Sequence, residues 1–317
     1  MFSVAQKKED GFDMVELKDE TKGTVIDVIP SCGAILHSFK VKHDGGLLNI
    51  IDHYTGPDDF KNAEAGGFKG CKLSPFVCRM KEGRYHFAQK DYQVEKFYLG
   101  QHAIHGLIYD AAFSLEHKHA DATSARMVLK YEYKGADKGY PFLYDCLVKY
   151  ELYDDNRLCI HTQVTNRDKG HMPVSDGWHP YFSFGEKIDD LQLEFQSRDI
   201  VEFDKDLVPT GKLTRYEEFG SLKKIGSTEL DNCFTANFAE CQPMLVLRDP
   251  SKNMQLEIIP DKSYPYLQIY TPPHRNSIAI ENLSSAPDAF NNGMGLITLA
   301  PGACADFTTT YLLRYLD

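Results

Sequence analysis

Two side chains able to exchange protons near neutral pH stand in apolar stretches of this chain. Glu281 ends the apolar part of the run Ser277-Ile278-Ala279-Ile280-Glu281-Asn282. A carboxylate at the end of such a strand is desolvated, and its pKa rises toward the range of a useful base; the plainer reading is a strand-end glutamate in water. His179 lies in Asp176-Gly177-Trp178-His179-Pro180-Tyr181-Phe182-Ser183-Phe184, beside the single tryptophan of the sequence. A histidine there can act as a general acid or base. Its aromatic neighbours either cover the apolar face of a sugar ring or pack a core.

Two further islands offer groups for holding a ligand. Arg79 follows Phe76-Val77-Cys78 and precedes Met80 and the turn Lys81-Glu82-Gly83. Its guanidinium either presents a fixed fork of donors to ligand oxygens or packs its stem and leaves its head in water. In His102-Ala103-Ile104-His105-Gly106, the glycine would allow close approach of backbone to a ligand, with His105 pointing into a cleft. Otherwise His105 is a loop histidine at the surface.

What the sequence lacks narrows the chemistry. There is no Walker-type phosphate loop, G-x-G-x-x-G, H-E-x-x-H or G-x-S-x-G, so ATP-dependent phosphoryl transfer, hydride transfer and α/β-hydrolase chemistry lose their usual support. Lys and Arg number 35 against 46 Asp and Glu, a net charge of −11. Such a field repels phosphate backbones and anionic lipid, so neither nucleic acid nor membrane is expected as a partner. None of the eight cysteines forms a C-x-x-C pair or lies close to a second cysteine with a histidine at zinc-like spacing, and no metal centre is expected. The N-terminus lacks an export signal and no stretch approaches a membrane span. A cytoplasmic protein with small, buried thiols is the expectation.

The elements that would position these groups are strands, because the dominant period is two. Val148, Tyr150 and Leu152 alternate with Lys149 and Glu151, Asp154-Asp155-Asn156 makes a turn, and Leu158, Ile160, Thr162 and Val164 alternate with polar neighbours. This is a hairpin. Residues 244–248 and 254–259 flank a second turn at 249–253. Further strands are predicted at 24–29, 34–41, 92–99, 125–133, 191–195, 266–271 and 306–313. Helical signal is confined to 60–65 and 287–293, and no amphipathic run reaches the 12 or so residues that α/β crossovers need. The pattern predicts an all-β fold, a large antiparallel β-sandwich forming one domain over 1–317.

Taken together, the islands resemble the aldose 1-epimerase family, or galactose mutarotases. The matching segments run in family order: Pro75-Phe76 through Arg79, His105-Gly106, His179-Pro180-Tyr181-Phe182, Asp231-Asn232-Cys233-Phe234, Tyr270-Thr271-Pro272, then Glu281 with 287–291 behind it, and Leu299-Ala300-Pro301-Gly302. The likeness extends from about Gly33 to the last strand. It implies the mutarotase supersandwich, with Glu281 as the base for the anomeric hydroxyl and His179 as the acid for the ring oxygen. Arg79, His105 and Asp231 would bind sugar hydroxyls. It implies a small sugar as substrate, no cofactor or metal, and a monomer or weak homodimer. Cys78 departs from the pattern, since many members carry Asn there. The run before Glu281 is looser than in the galactose enzymes, and His179-Pro180-Tyr181-Phe182 looks more like a bacterial branch.

The competing functions are a noncatalytic sugar-binding protein on the same fold and a hexose-6-phosphate 1-epimerase. A dianionic phosphate calls for Arg, Lys or a helix N-terminus, and the phosphate-specific branch carries an Arg soon after its His-Gly pair. Here Leu107-Ile108-Tyr109-Asp110-Ala111-Ala112 supplies no cation. Lys69 and Lys72 are the only substitutes nearby, and solvated lysines are their simpler reading. A neutral free aldose is therefore expected.

Overall fold

Alternating apolar and polar side chains build three large antiparallel sheets in the computed structural model, which describes residues 1–62, 67–240 and 242–316. The first sheet is a meander of Phe2–Glu9, Phe12–Asp19, Thr24–Ile29, Ile35–His43 and Gly46–Asn49. The second has nine strands, with Ser124–Lys134, Leu143–Tyr153, Arg157–Asn166, Cys304–Tyr315 and Met254–Pro260 adjacent at its centre. The third contains Asp231–Ala236, Tyr266–Tyr270, Ile278–Leu283, Gly177–His179 and Cys71–Leu73 in that spatial order. The only α-helices among the described residues are Pro57–Lys61 and Ala289–Asn292. None is long and apolar enough to cross a membrane.

Both legible hairpins form. Leu143–Tyr153 and Arg157–Asn166 pair from Tyr153↔Arg157 to Tyr144↔Asn166, with Asp155 and Asn156 at positive φ in the turn, a conformation these residue types tolerate. Leu245–Asp249 pairs with Met254–Pro260 in the same way. The predicted strand over 92–99 breaks in two, Lys90–Gln93 and Tyr98–Leu99. The Asp137 carboxylate takes the backbone N–H groups of Glu95 and Lys96 at 2.9–3.1 Å, which removes them from any ladder. The helix expected over 60–65 lies earlier, at Pro57–Lys61, and 63–65 are outside the described residues. Of the seven described cysteines, all free, five are buried, Cys159 is partly exposed and Cys304 is exposed.

The third sheet is covered on both faces, and this positions the site. In Ile278–Leu283 all six residues are buried. Ile278 and Ile280 join Phe234, Leu267, Ile269 and Trp178 in the main core, which also takes Val148, Tyr150 and Tyr311 from the nine-stranded sheet. Asn282, on that inner face, accepts a 2.7 Å hydrogen bond from Thr309 across it. Ala279 and Glu281 therefore face outward, under the connecting segments.

Lys72 corrects the expectation of a solvated amine. It is fully buried on the inner face beside Trp178, its cross-strand partner. Its ammonium reaches Asp176 at 2.5 Å and the Gly177 carbonyl at 3.0 Å, and lies 4.5 Å from the Trp178 ring centroid. Asp176 also accepts from the Tyr264 hydroxyl at 2.8 Å. Burying two charges costs several kcal/mol each, and only the pairing offsets it. Lys72→Met should therefore cost about 3 kcal/mol or more in denaturant unfolding, while Lys72→Met with Asp176→Asn recovers much of the loss. A single variant within about 1 kcal/mol of the wild type would contradict this account.

Candidate active site

The segments that carry Arg79 and His105 are pinned together before they meet the sheet. Arg79–Met80 pairs with His102–Ile104 through Ile104↔Arg79. The His105 N–H donates to the Cys78 carbonyl at 2.9 Å and the Leu107 N–H to the Ser74 carbonyl at 2.7 Å. His105 itself sits in the left-handed region, at φ 60, a conformation uncommon outside glycine. Gly106 serves this join and not a ligand: a Cβ on it would fall 2.2 Å from the Ser74 carbonyl oxygen. The segment at 287–291 holds the same strand from the other side. Asp288 donates its N–H to the Arg79 carbonyl at 2.8 Å, and its carboxylate accepts the Lys81 N–H at 2.9 Å.

These segments close a cavity of about 200 Å³ over the outer face of the third sheet. All five predicted site residues line it: Arg79, His105, His179, Asp231 and Glu281. Glu281 and His179 come from neighbouring strands, and His179 Nε2 lies 3.3 Å from Glu281 Oε1. Both are almost fully buried. The His179 ring stacks on Tyr181 at 5.1 Å and meets the His105 ring edge-on at 4.9 Å. Cys78 places its thiol 3.8 Å from Glu281 Oε2. Arg79 lines the cavity with Asp231 and Glu281, close enough for its charge to lower both carboxyls, and among the described residues its guanidinium makes no side-chain hydrogen bond.

Charge in this cavity is set mainly by burial, which disfavours ionised forms. Burial, with Asp231 adding to it, holds the Glu281 carboxyl well above the usual carboxylate range; Cys78 and Arg79 oppose the shift. Burial pushes the His179 imidazole down. The His105 imidazole is lowered too, by burial first and then by His179 and Arg79. Asp231 is raised by burial, against Arg79 and its hydrogen bond from Gln268. Glu281 and His179 lie 3.3 Å apart, and the low polarity favours the neutral form of each, carboxylic acid and imidazole. Moving the acid's proton to the imidazole would give carboxylate and imidazolium.

Two readings of the aromatic island separate here. Strand alternation sends Trp178 and Phe182 into the core and His179 and Tyr181 into the cavity. Only Tyr181 of that island is available as a ring platform, joined by Phe68 and by Tyr270 of the neighbouring strand. Gln268 was missed by sequence reasoning. It is the cross-strand partner of Glu281, donates to Asp231 at 2.9 Å, and keeps a buried Oε1 without a partner. The signal was present in the alternation of Tyr266, Gln268 and Tyr270 with Leu267 and Ile269, because an amide in a strand covered on both faces needs a polar neighbour.

The family model for aldose 1-epimerase matches residues 13–312. The chain belongs to the aldose 1-epimerase family. The uncharacterised protein YihR of Escherichia coli K12 is 26% identical over 245 residues, 74% of this chain and 75% of its own. Similar solved structures include a galactose mutarotase-like protein from Clostridium acetobutylicum, with a TM-score of 0.87 at 18% identity and 99% of both chains covered. A galactose 1-epimerase from Lactobacillus acidophilus has a TM-score of 0.82 at 20% identity, covering 100% of this chain and 99% of its own. At these identities the likeness establishes the mutarotase fold. Within the aldose 1-epimerase family, the lysines near the first island differ from what a phosphate site needs. Lys72 is buried against Asp176, and Lys69 pairs with Asp52 at 2.7 Å.

Proposed function

We propose that this family member is an aldose 1-epimerase acting on a neutral free aldose. The observation that carries the reading is the buried 3.3 Å approach of His179 Nε2 to Glu281 Oε1 at the floor of a cavity lined by donors and acceptors. In the carboxylate and imidazolium form, Glu281 takes the proton from the anomeric hydroxyl while His179 protonates the ring oxygen. The C1–O5 bond breaks, C1 becomes the aldehyde carbon, and the pair is left as acid and neutral imidazole. Rotation about C1–C2 presents the other face of the aldehyde, and the two transfers reverse to close the ring as the opposite anomer. The two oxygens sit on one carbon, which suits a donor and an acceptor this close. Arg79, His105, Asp231 and Gln268 hold the hydroxyls, and Tyr181 with Tyr270 borders the ring.

Polarimetry or NMR exchange on freshly dissolved α-glucose and α-galactose, with and without the protein, tests the reading. Faster equilibration of either sugar is expected, and unchanged rates with measurable sugar binding would favour a noncatalytic sugar-binding protein. Anomer exchange of glucose should also exceed that of glucose 6-phosphate at moderate salt. Among the described residues Arg79 is the one Lys or Arg lining the cavity, two carboxyl groups line it as well, and the net charge of −11 opposes a dianion. A clear preference for the phosphate would overturn this substrate class.

A further inference from the structure

Asp10, His37 and His53 meet outside the sugar cavity, at the edge of the N-terminal sheet. Asp10 forms the turn between Phe2–Glu9 and Phe12–Asp19, His37 lies in Ile35–His43, and His53 follows Gly46–Asn49. One donor atom from each lies within 4.8 Å of the other two. His37 is 97% buried by its 3% exposure, and its Nδ1 has no partner. Its Nε2 faces Asp10 Oδ2 at 3.8 Å, beyond hydrogen-bond reach. A ring this deep without a hydrogen bond is uncommon.

His53 is held in the opposite sense, by its other nitrogen. Nδ1 lies 3.1 Å from both the Ile51 carbonyl and Asn49 Nδ2. Asn49 is fixed in turn by accepting the N–H groups of Phe39 and Ile51 at 3.0 and 3.1 Å. The His53 ring meets His37 edge-on, with centroids 4.7 Å apart. Its Nε2 is left for the cluster; a metal there selects the tautomer with the proton on Nδ1, donated to the Ile51 carbonyl, and gives up the alternative in which the Asn49 amide donates to Nδ1. That is the outer-shell arrangement that orients metal-bound histidines.

We propose that Asp10, His37 and His53 bind a divalent transition metal of zinc's class through two imidazole nitrogens and one carboxylate oxygen. This donor set suits zinc, whereas magnesium and calcium favour oxygen ligands alone. Tetrahedral ligands about 2.1 Å from zinc stand about 3.4 Å apart, so the 3.8 Å separation of His37 and Asp10, within a set spanning up to 4.8 Å, contracts on binding. Asp10, with its side chain 46% exposed at a hairpin tip, supplies that movement. The bound ion ties the hairpin to the segment that continues into Asp52, whose carboxylate accepts from Lys69 and Ser277, each at 2.7 Å. The effect is a clamp on the sheet edge, with no part in the proton transfers. Linear spacing of cysteines and histidines gives no sign of the site, because a turn, a strand and a loop supply one ligand each.

Calorimetric titration of the full chain with zinc chloride, alongside thermal melts, tests the proposal. One zinc per chain is expected, with a higher melting temperature in zinc and no response to magnesium. Asp10→Asn and His53→Gln, both at partly exposed positions, should each weaken zinc binding by at least about tenfold and melt like the metal-free wild type. Cobalt binding should give visible absorption bands that both variants lose. The proposal is overturned if zinc does not bind. It is equally overturned if both variants take up zinc as the wild type does, which would assign it to surface pairs such as His86 with Asp91 and His161 with Asp306.

Discussion

Glu281→Gln is expected to abolish anomer exchange while raising the melting temperature at neutral pH. Glutamine fills nearly the same space but cannot accept the anomeric proton, and a positioned proton-transfer group contributes about 10² to 10⁴ in rate. The stability side follows from linkage. The folded-state pKa of Glu281 is raised above its ordinary value by burial and Asp231. As pH climbs past that ordinary value, the unfolded chain releases the proton first, so folding stability falls until the pH reaches the folded pKa. Glutamine does not titrate, and the gap in melting temperature between variant and wild type should widen from pH 4 to pH 7. Polarimetry and melting curves on the same preparations read both effects. More than roughly a tenth of the wild-type rate would remove Glu281 from the base role, and a variant melting lower at pH 7 would contradict its desolvation.

The second large effect is His179→Asn, which should lower kcat by about 10² to 10⁴ with little change in KM. An acid acts where charge develops on the ring oxygen, so its loss falls on the transition state. Asp231→Ala should behave in the opposite way. Asp231 and Gln268 are joined at 2.9 Å at the cavity wall, and a hydroxyl ligand acts in the bound ground state as well as in the transition state. KM should rise strongly and kcat fall less. Equal changes in KM for the two variants, with kcat untouched, would end this division of roles. Asn at 179 also removes the ring that stacks on Tyr181 and meets His105, so intact melting behaviour belongs in the comparison.

Local alternation by itself determined much of this protein. It placed the central strands of the nine-stranded sheet, because one face of each is buried and the side-chain period is two. It made Glu281 a candidate for desolvation beside the plainer reading of a strand-end glutamate in water, and the structure buries it on the covered face opposite Ile278 and Ile280. It was silent on the N-terminal hairpin, whose first strand Phe2–Glu9 has only Phe2 buried; the Asp10-Gly11 turn was the one usable mark. Segment order then tied Arg79, His105, His179, Asp231 and Glu281 to one family.

Only tertiary structure decided what those residues touch. Which strand pairs with which depends on contacts between segments far apart in the chain, and the local pattern does not encode partner choice. Gly177–His179 therefore lands between Ile278–Leu283 and Cys71–Leu73, bringing His179 to Glu281 across about a hundred residues of sequence. Pairing also fixed the parity that sends Trp178 inward, drew Lys72 into a buried ion pair, set Gly106 against Ser74, and turned Gln268 toward the cavity. In each case one residue's surroundings come from strands it does not adjoin in sequence, and burial among them sets its charge and its role.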